Sequence, residues 1–232
     1  MWSWHIWVTN KNVHETYTYG NSYKVNFMTI ALGERETAQG TTCTFYQWGR
    51  KDPFPGATEN DQATDNMSSQ TDYYSSITNP GKFIKGTETE PYYYNWFNEN
   101  LLDLWNVGNT STNKYTNKSQ KSIYDPSPVG FKVPPPGAGY YIGLSYANWQ
   151  STSGKEGISI PSTGDFWRAF GCLNLATGSS GNVGIEGDYW SCGPCSGASP
   201  LTGYCVVFSS NSANHYGNNY RAYGFSVRPV SE

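Results

Sequence analysis

Charged residues are scarce in this sequence. Asp, Glu, Lys and Arg make up 14% of its 232 residues, the formal net charge is -3, and the longest basic run is Arg50-Lys51. Binding to nucleic acid needs a concentrated basic surface that neutralises phosphates. We therefore expect neither nucleic acid nor an anionic membrane surface as a partner.

Long apolar runs are also lacking. Residues 204–208 (Tyr-Cys-Val-Val-Phe) form an apolar stretch far shorter than the roughly 20 residues that span a bilayer. The chain has no basic start of a secretory signal, because Met1 leads straight into residues 2–9, which alternate like a strand. The sequence predicts no direct membrane insertion. We expect Met1 to be an engineered start and the domain to be excised from a longer chain.

Cysteine and histidine are too few and too scattered for a metal centre. Five cysteines form an odd set, which cannot be a closed disulfide framework, and the three histidines show no ligand spacing. Cys192 and Cys195 match the thioredoxin-type Cys-x-x-Cys motif, but that chemistry needs the first cysteine at a helix N-terminus, and no strand–helix–strand pattern surrounds them. We predict no metal and no cofactor. Residues 192–196 are interpreted as a loop with a fortuitous cysteine pair or a loop-closing disulfide.

Aromatic and small polar residues are abundant instead. The chain contains 9 Trp, 19 Tyr and 10 Phe, which excludes intrinsic disorder, and a chain of this length buries roughly 70% of its unfolded surface. Asn, Ser, Thr and tyrosine hydroxyls must then provide solubility in place of ion pairs. We expect one domain over residues 1–232. Five tryptophans are expected in its core rather than against a ligand: Trp2, Trp4, Trp48, Trp105 and Trp190.

Glycine and proline punctuate the chain. Twenty-five Gly and 13 Pro lie between short apolar runs, which is typical of loop-rich folds with short strands. Residues 94–105 are the best helix candidate, because Phe97, Leu101 and Leu104 share one face at helical spacing, and residues 139–149 are a second. The sequence predicts an α+β fold with short strands, two helices and long irregular loops. Strands are predicted at residues 2–9, 23–32, 157–160, 188–191, 203–208 and 224–230, and polar excursions or loops at residues 51–86, 108–121 and 209–223.

Six motifs follow one another along the chain: Trp2-Ser3-Trp4-His5-Ile6-Trp7, Tyr46-Gln47-Trp48-Gly49-Arg50-Lys51-Asp52-Pro53-Phe54-Pro55, Tyr124-Asp125-Pro126, Val129-Gly130-Phe131-Lys132-Val133-Pro134, Gly187-Asp188-Tyr189-Trp190-Ser191 and Arg221-Ala222-Tyr223-Gly224-Phe225-Ser226-Val227-Arg228-Pro229-Val230. Together they resemble the Fibrobacter succinogenes major paralogous domain family, which is common in surface proteins of gut-type Gram-negative bacteria and related to the C-type-lectin-like fold. The resemblance covers residues 2–230. It implies a single C-type-lectin-like domain with paired N- and C-terminal strands, two helices and a sheet that carries long irregular loops.

The chain departs from that family in two places. Ser127 stands where the family often has cysteine, and residues 192–195 stand where it often has Ser-rich sequence. The Glu-Pro-Asn, Gln-Pro-Asp and Trp-Asn-Asp motifs that supply calcium ligands in sugar-binding C-type lectins are absent. Calcium-dependent sugar capture is therefore not expected.

The C-terminal region contains the predicted binding surface. The related fold hosts variable proteins of diversity-generating retroelements, whose rewritten codons encode Asn, Tyr, Ser, Asp, His and Cys, and residues 188–221 use that alphabet. Such residues give flat contact area and adaptable hydrogen bonds at low entropy cost. A diversified region and an ordinary polar loop both stay open, and Trp167 either lines the same face or packs in the core. The predicted ligand-binding residues are Asp188, Cys192, Pro194, Cys195, Ser196, Asn211, Ser212, Asn214, His215, Tyr216, Asn218, Asn219 and Tyr220.

Three functions stay open. The first is a receptor-binding or adhesin domain, carried by a longer chain on a bacterial surface, outside the cell or on a phage tail fibre, that binds a protein or glycan on another cell. The second is an enzyme like the formylglycine-generating enzymes, which share a related fold and depend on a cysteine pair; here the close pair is Cys192 and Cys195. The third is a structural surface or pilus module without a ligand. No carboxylate pair or Ser/His/Asp set offers another active site, so the sequence favours the non-enzymatic binding domain.

Overall fold

Strands rather than helices build this molecule. The computed structural model describes residues 3, 6–37, 40–56, 67–68, 70–88, 94–108, 110–152, 154–195 and 202–232. Within these ranges strands account for 35% of residues and helices for 6%. The predicted α+β class is therefore wrong: the fold is mostly β, and a C-type-lectin-like arrangement is not specifically shown.

The strands are mostly two to four residues long, and only β14, β15 and β16 reach eight or more. In chain order they are β1 (Thr16–Tyr19), β2 (Val25–Met28), β3 (Arg35–Thr37), β4 (Gly40–Thr42), β5 (Phe45–Gln47), β6 (Met67–Ser68), β7 (Phe83–Ile84), β8 (Phe131–Lys132), β9 (Trp149–Gln150), β10 (Gly157–Ile160), β11 (Asp165–Arg168), β12 (Cys172–Leu173), β13 (Ser180–Gly181), β14 (Glu186–Cys195), β15 (Thr202–Ser209), β16 (Ala213–Tyr220), β17 (Gly224–Ser226) and β18 (Val230–Ser231).

The helices are short. They are α1 (Tyr73–Thr78), α2 (Ala138–Tyr141) and a single 3₁₀ turn at Tyr146–Asn148. Asp72 caps α1 by accepting a hydrogen bond from the Ser75 amide at 2.7 Å. Among the described residues, no helix has both the length and the apolar character that crossing a membrane requires.

The described residues form five sheets, of which two are the strand pairs β3-β4 and β6-β7 and three are larger. The largest has the order β13-β12-β17-β14-β15-β16, with β5 also paired to β17. A second sheet has the order β1-β2-β18-β8, and a third has the order β11-β10-β9. The early strand β2 thus pairs with the C-terminal strand β18, at Phe27 and Val230.

Side-chain alternation along β14 and β15 divides the core between the two faces of the large sheet. Tyr189, Val206 and Phe208 belong to one apolar cluster, and Trp190 and Cys205 belong to another. Successive side chains of a strand point to opposite faces, so a central strand must be apolar throughout to cover both clusters. The core positions predicted for Trp48, Trp105 and Trp190 are confirmed, and Trp167 also packs in the core, whereas Trp2 and Trp4 lie outside the described residues.

The predicted helix at residues 94–105 is absent. Trp96, Phe97 and Trp105 are fully buried, but the backbone is irregular, and Phe97 forms an isolated bridge with Thr71. The segment contains Asn95, Asn98, Asn100 and Asp103, whose short polar side chains compete with helical backbone hydrogen bonds. Long-range packing therefore decides this conformation, and helical spacing is a poor guide.

Other sequence predictions hold in part. Strands form within residues 23–32, 188–191, 203–208 and 224–230, and β10 matches the prediction. Residues 139–149 give α2 and the 3₁₀ turn in place of one helix, and the described residues of 2–9 contain no strand. Residues 51–86 are not simply a surface excursion, because Tyr73, Phe83 and Ile84 are buried.

Candidate ligand-binding surface

Strand β16 forms one edge of the large sheet. It pairs with β15 through Tyr204 and Asn218 and through Phe208 and Ala213, and no other described strand pairs with it. The prediction of a polar loop is therefore wrong for residues 213–220. Pairing with the apolar strand β15 satisfies half of the β16 backbone, and polar side chains suit a strand whose outer edge meets solvent.

The predicted binding residues of this hairpin reach solvent to different degrees. Asn211 and Ser212 lie in the turn before β16, where the Ser209 amide donates to the Ser212 carbonyl oxygen at 2.9 Å. Asn214 and Asn218 are exposed on the strand itself. Four others are half-buried: His215, Tyr216, Asn219 and Tyr220.

A β-bulge interrupts the middle of β16. Cys205 pairs with Gly217 and Val207 with Asn214, so two residues, His215 and Tyr216, stand opposite Val206 alone. A bulge bends the strand and re-aims its side chains. As a result, the His215 ring lines the interior and the adjacent Tyr216 ring joins the surface.

His215 contributes to the interior. Its Nε2 is buried without a described hydrogen-bond partner, and it lines a cavity of about 10 Å³ beside Val206 and Trp190. That volume is close to the space one water molecule needs. Burial lowers the pKa of His215, so the neutral imidazole is favoured in the fold.

Helix α2 packs directly against the bulge. A Cβ at Gly139 would lie 2.8 Å from the His215 carbonyl oxygen and 2.8 Å from Val206 Cγ2, so the approach requires glycine. The preceding Pro134-Pro135-Pro136 restricts the backbone that leads into the helix. This close approach places Tyr140 beside Tyr216.

Five tyrosines from four separate segments form one continuous surface, here named the tyrosine cluster: Tyr23, Tyr115, Tyr140, Tyr141 and Tyr216. Tyr140 and Tyr216 have ring centroids 6.1 Å apart with planes inclined by 12°, and Tyr115 meets Tyr216 edge-on at 5.2 Å. Tyr140 contacts Tyr141 at 5.6 Å, and Tyr141 contacts Tyr23 at 5.2 Å. Tyr115 and Tyr140 nevertheless keep 60% and 61% of their surface exposed.

Hydrogen bonds through Asn117 and the ammonium group of Lys114 hold the tyrosine cluster in place. Tyr23 Oη donates to the Asn117 carbonyl oxygen at 2.8 Å, and Asn117 Nδ2 donates to Tyr141 Oη at 3.3 Å. Lys114 Nζ lies 5.2 Å from the ring centroid of Tyr115 and 5.5 Å from that of Tyr216. Partial burial and then the neighbouring phenols raise the pKa of Tyr216, so its hydroxyl stays a neutral donor and acceptor.

A cleft of about 220 Å³ adjoins the tyrosine cluster at Tyr23. Lys24, Asn26, Asn117 and Lys132 are among its lining residues. Sites for drug-sized ligands occupy about 300–1,000 Å³, so this cleft suits a group of roughly one sugar ring. Its lining offers hydrogen-bond donors and acceptors together with one aromatic wall.

The predicted site residues of 188–195 do not join this surface. They belong to strand β14, with a register shift between Trp190 and Pro194, and not to a loop. Asp188 is 2% exposed, Cys192 is fully buried and Pro194 is buried, so these three do not lie at the surface as a binding role requires, and that role stays a prediction. Cys195 is half-buried, and Ser196 lies outside the described residues.

The cysteine pair is poorly placed for thiol chemistry. All five cysteines are free, and burial raises the pKa of the Cys192 thiol to about 12. The thiolate is the nucleophilic form, so Cys192 has neither the charge state nor the access that a redox centre needs. Across the described residues, no group of three or more His, Cys, Asp or Glu side chains is arranged to hold a metal ion.

Sequence reasoning missed the larger part of the tyrosine cluster. Tyr23, Lys114, Tyr115, Tyr140 and Tyr141 lie far from residues 188–221 in sequence. The sequence does contain one signal of a surface tyrosine, namely a tyrosine between polar residues, as in Asn113-Lys114-Tyr115-Thr116. The ring there has no apolar sequence neighbours to pack with. Their convergence depends on α2 docking against β16, which a local pattern does not encode. Tyr220, which was predicted, contacts Tyr94 at 4.8 Å and lies outside the cluster.

Comparison of the chain with protein-family models, curated proteins and solved structures found no match. The family resemblance of the six motifs therefore stays a prediction.

Proposed function

We propose that this chain is a non-enzymatic ligand-binding domain, of the receptor-binding or adhesin kind, that binds a protein or glycan on another cell through β16 and the tyrosine cluster. The observation that carries the proposal is a contiguous group of tyrosines assembled from four segments, in which Tyr23, Tyr115 and Tyr140 are exposed. The rings that connect them, Tyr141 and Tyr216, are half-buried. Large aromatic side chains in a soluble protein are usually buried, and a contiguous exposed group of them marks an interaction site.

The low entropy cost of ordering this surface supports binding. Tyrosine contributes a large contact area with few rotatable bonds and is enriched at binding hot spots. Contacts between the rings already restrain Tyr140 and Tyr216, so part of the ordering cost of binding is met in the free protein. Asn214 and Asn218 add exposed amide donors and acceptors next to the rings.

Display on a bacterial surface, outside the cell or on a phage tail fibre, as part of a longer chain, belongs to the same proposal. The six-motif resemblance to the Fibrobacter succinogenes major paralogous domain family supports it, since that family is common in surface proteins.

Binding to cells tests the proposal. The labelled protein is incubated with a panel of bacterial cells, and Tyr140→Ala and Asn214→Ala/Asn218→Ala are compared with Tyr74→Ala. Tyr74 is 70% exposed on α1 and is the matched control. We expect saturable binding that the first two variants weaken by roughly tenfold, as hot-spot truncations do, and that Tyr74→Ala leaves unchanged. Equal loss in the control, or no binding to any cell, would contradict the proposal.

We propose in addition that retroelement diversification acts on the hairpin of β15 and β16. The exposed positions Asn211, Ser212, Asn214 and Asn218 can change without altering the core, whereas Asp188 and Cys192 are buried. Sequencing natural copies of the gene should show substitutions concentrated at the four exposed positions, with residues 224–230 constant. Uniformly low variation across residues 180–232 would indicate a fixed adhesin.

A further inference from the structure

Charge is unevenly distributed along this acidic chain. Residues 104–155 contain Lys114, Lys118, Lys121, Lys132 and Lys155, and Asp125 is their sole acid. Asp125 is buried, where it accepts hydrogen bonds from the Ser127 and Val133 amides at 2.8 Å each. Residues 189–231 contain no Asp or Glu. The two stretches that supply most of the tyrosine cluster are therefore basic or neutral, although the whole protein has a net charge of -3.

Lysines stand at both ends of the tyrosine cluster. At one end Lys114 Nζ lies above the rings of Tyr115 and Tyr216. At the other end Lys24 and Lys132 line the cleft beside Tyr23. The cleft also contains Glu232, whose carboxylate lies 3.7 Å from Lys121 Nζ, so that negative charge has a partner.

The rings between those lysines suit the faces of sugars. A sugar ring presents a face of weakly positive C–H groups, and an aromatic ring presents a negative face. Tyr140 is the most exposed ring of the cluster, and Tyr115 is nearly as exposed. Tyrosine hydroxyls supply groups that can exchange hydrogen bonds with sugar hydroxyls.

We propose that the tyrosine cluster and the adjoining cleft bind an anionic glycan, a chain of sugar rings that bear carboxylate or sulfate groups. This inference rests on the proposed binding function and specifies its ligand class. The sugar rings stack along Tyr141, Tyr140 and Tyr216, a single ring enters the cleft at Tyr23, and the acidic groups contact Lys114, Lys24 and Lys132. Charge complementarity selects acidic over neutral glycans, and the rings provide contact area.

The test uses one acidic glycan and its neutral counterpart. Oligogalacturonate and the same oligosaccharide after reduction of its carboxyl groups are titrated into the full chain by calorimetry, at low and at physiological salt. We expect the acidic form to bind and the reduced form to bind at least about fivefold more weakly, with affinity for the acidic form falling as salt rises.

Matched variants separate stacking from charge. Tyr140→Ala and Tyr216→Ala should weaken binding of the acidic form by roughly tenfold, Tyr216→Phe should retain it, and Lys114→Gln should lower affinity for the acidic form only. Tyr74→Ala and Lys85→Gln, which change exposed residues outside the cluster, should have no effect. Unchanged melting temperatures establish that each variant is folded.

Four outcomes would overturn the inference. Equal binding of both oligosaccharides, unaffected by Lys114→Gln, would exclude selection for acidic groups. Equal or tighter binding of single-stranded DNA at the same residues would identify a general polyanion surface and not a glycan site. Binding to cells through Tyr140 without binding to the acidic glycan would refute this ligand class while the proposed function stands, whereas absence of binding to both cells and glycans would refute both.

Discussion

At the scale of single residues, burial separates the predicted binding positions into two groups with different physical roles. Asn214 and Asn218 meet solvent, whereas Asp188 lies in the sheet interior at 2% exposure. A buried carboxyl group without a cationic partner favours its protonated form. Burial therefore favours the neutral form of Asp188 in the folded protein.

The first prediction concerns the charge of Asp188. Burial, and secondly the nearby Glu186, raise its pKa well above the ordinary value. A group whose pKa is higher in the folded state stabilises the fold at pH values below its unfolded pKa, and that contribution is lost as pH rises through the folded pKa. Asp188→Asn, which cannot ionise, should therefore melt near the wild-type temperature at about pH 4 and above it at about pH 8, by roughly 2–4 °C per kcal/mol of relieved cost.

Thermal melts of both proteins across that pH range measure the effect. Glu186→Gln removes the second cause of the raised pKa of Asp188. In that background, Asp188→Asn should raise the melting temperature at about pH 8 by less than it does in the wild-type protein. Parallel melting curves for wild type and Asp188→Asn at every pH would contradict the assignment.

At the scale of elements, the edge strand β16 and helix α2 act together. The bulge places His215 at the interior and Tyr216 at the surface. Gly139 permits α2 to approach both residues closely. An edge strand is held by hydrogen bonds on one side, so it opens more easily than a central strand. A change in the charge or position of the buried His215 side chain is therefore expected to affect the binding surface.

The second prediction uses the pH dependence of β16. Burial lowers the pKa of His215, so its contribution to stability is present above the unfolded pKa and is lost as pH falls through the folded pKa. We expect the amides of residues 213–220 to exchange hydrogen several-fold faster at about pH 5 than at about pH 7.5, after correction for intrinsic rates. His215→Gln should abolish most of this difference.

Hydrogen exchange resolved by peptide measures the effect, with β10 as an internal reference outside the hairpin. Equal acceleration in β10 and β16 would indicate global destabilisation and would refute a local role for His215.

At the scale of the whole molecule, the buried guanidinium group of Arg228 connects two separate sheets. Arg228 Nη2 donates to Asp165 Oδ1 at 2.8 Å, and its Nε donates to the Met28 carbonyl oxygen at 2.7 Å. The guanidinium also lies 4.5 Å from the ring centroid of Trp167. One side chain thus joins the sheet that contains β2 to the sheet that contains β11.

The third prediction follows from that connection. Arg228→Met leaves Asp165 buried beside Tyr19 and Trp167 without its cation, and breaking such a pair costs about 3–5 kcal/mol. Denaturant unfolding should show this loss, with an intermediate loss for Arg228→Lys, which keeps the charge but lacks the fork of donors. The exposed control Lys85→Met should change stability by less than about 0.5 kcal/mol. A loss for Arg228→Met as small as that of the control would refute a structural role for the pair.

Short-range chemistry was readable from the sequence, and long-range assembly was not. The apolar run at residues 203–208 determined a buried strand, and the scarcity of charge together with the aromatic content determined an aromatic core with polar residues facing solvent, because each depends on local composition. The absence of a helix at residues 94–105, the strand at residues 213–220 and the burial of Asp188 and Cys192 depended on distant partners. The tyrosine cluster existed only once α2 had docked on β16, because hydrogen-bonded strand pairing and the contact at Gly139 bring together residues that are about a hundred positions apart in the chain.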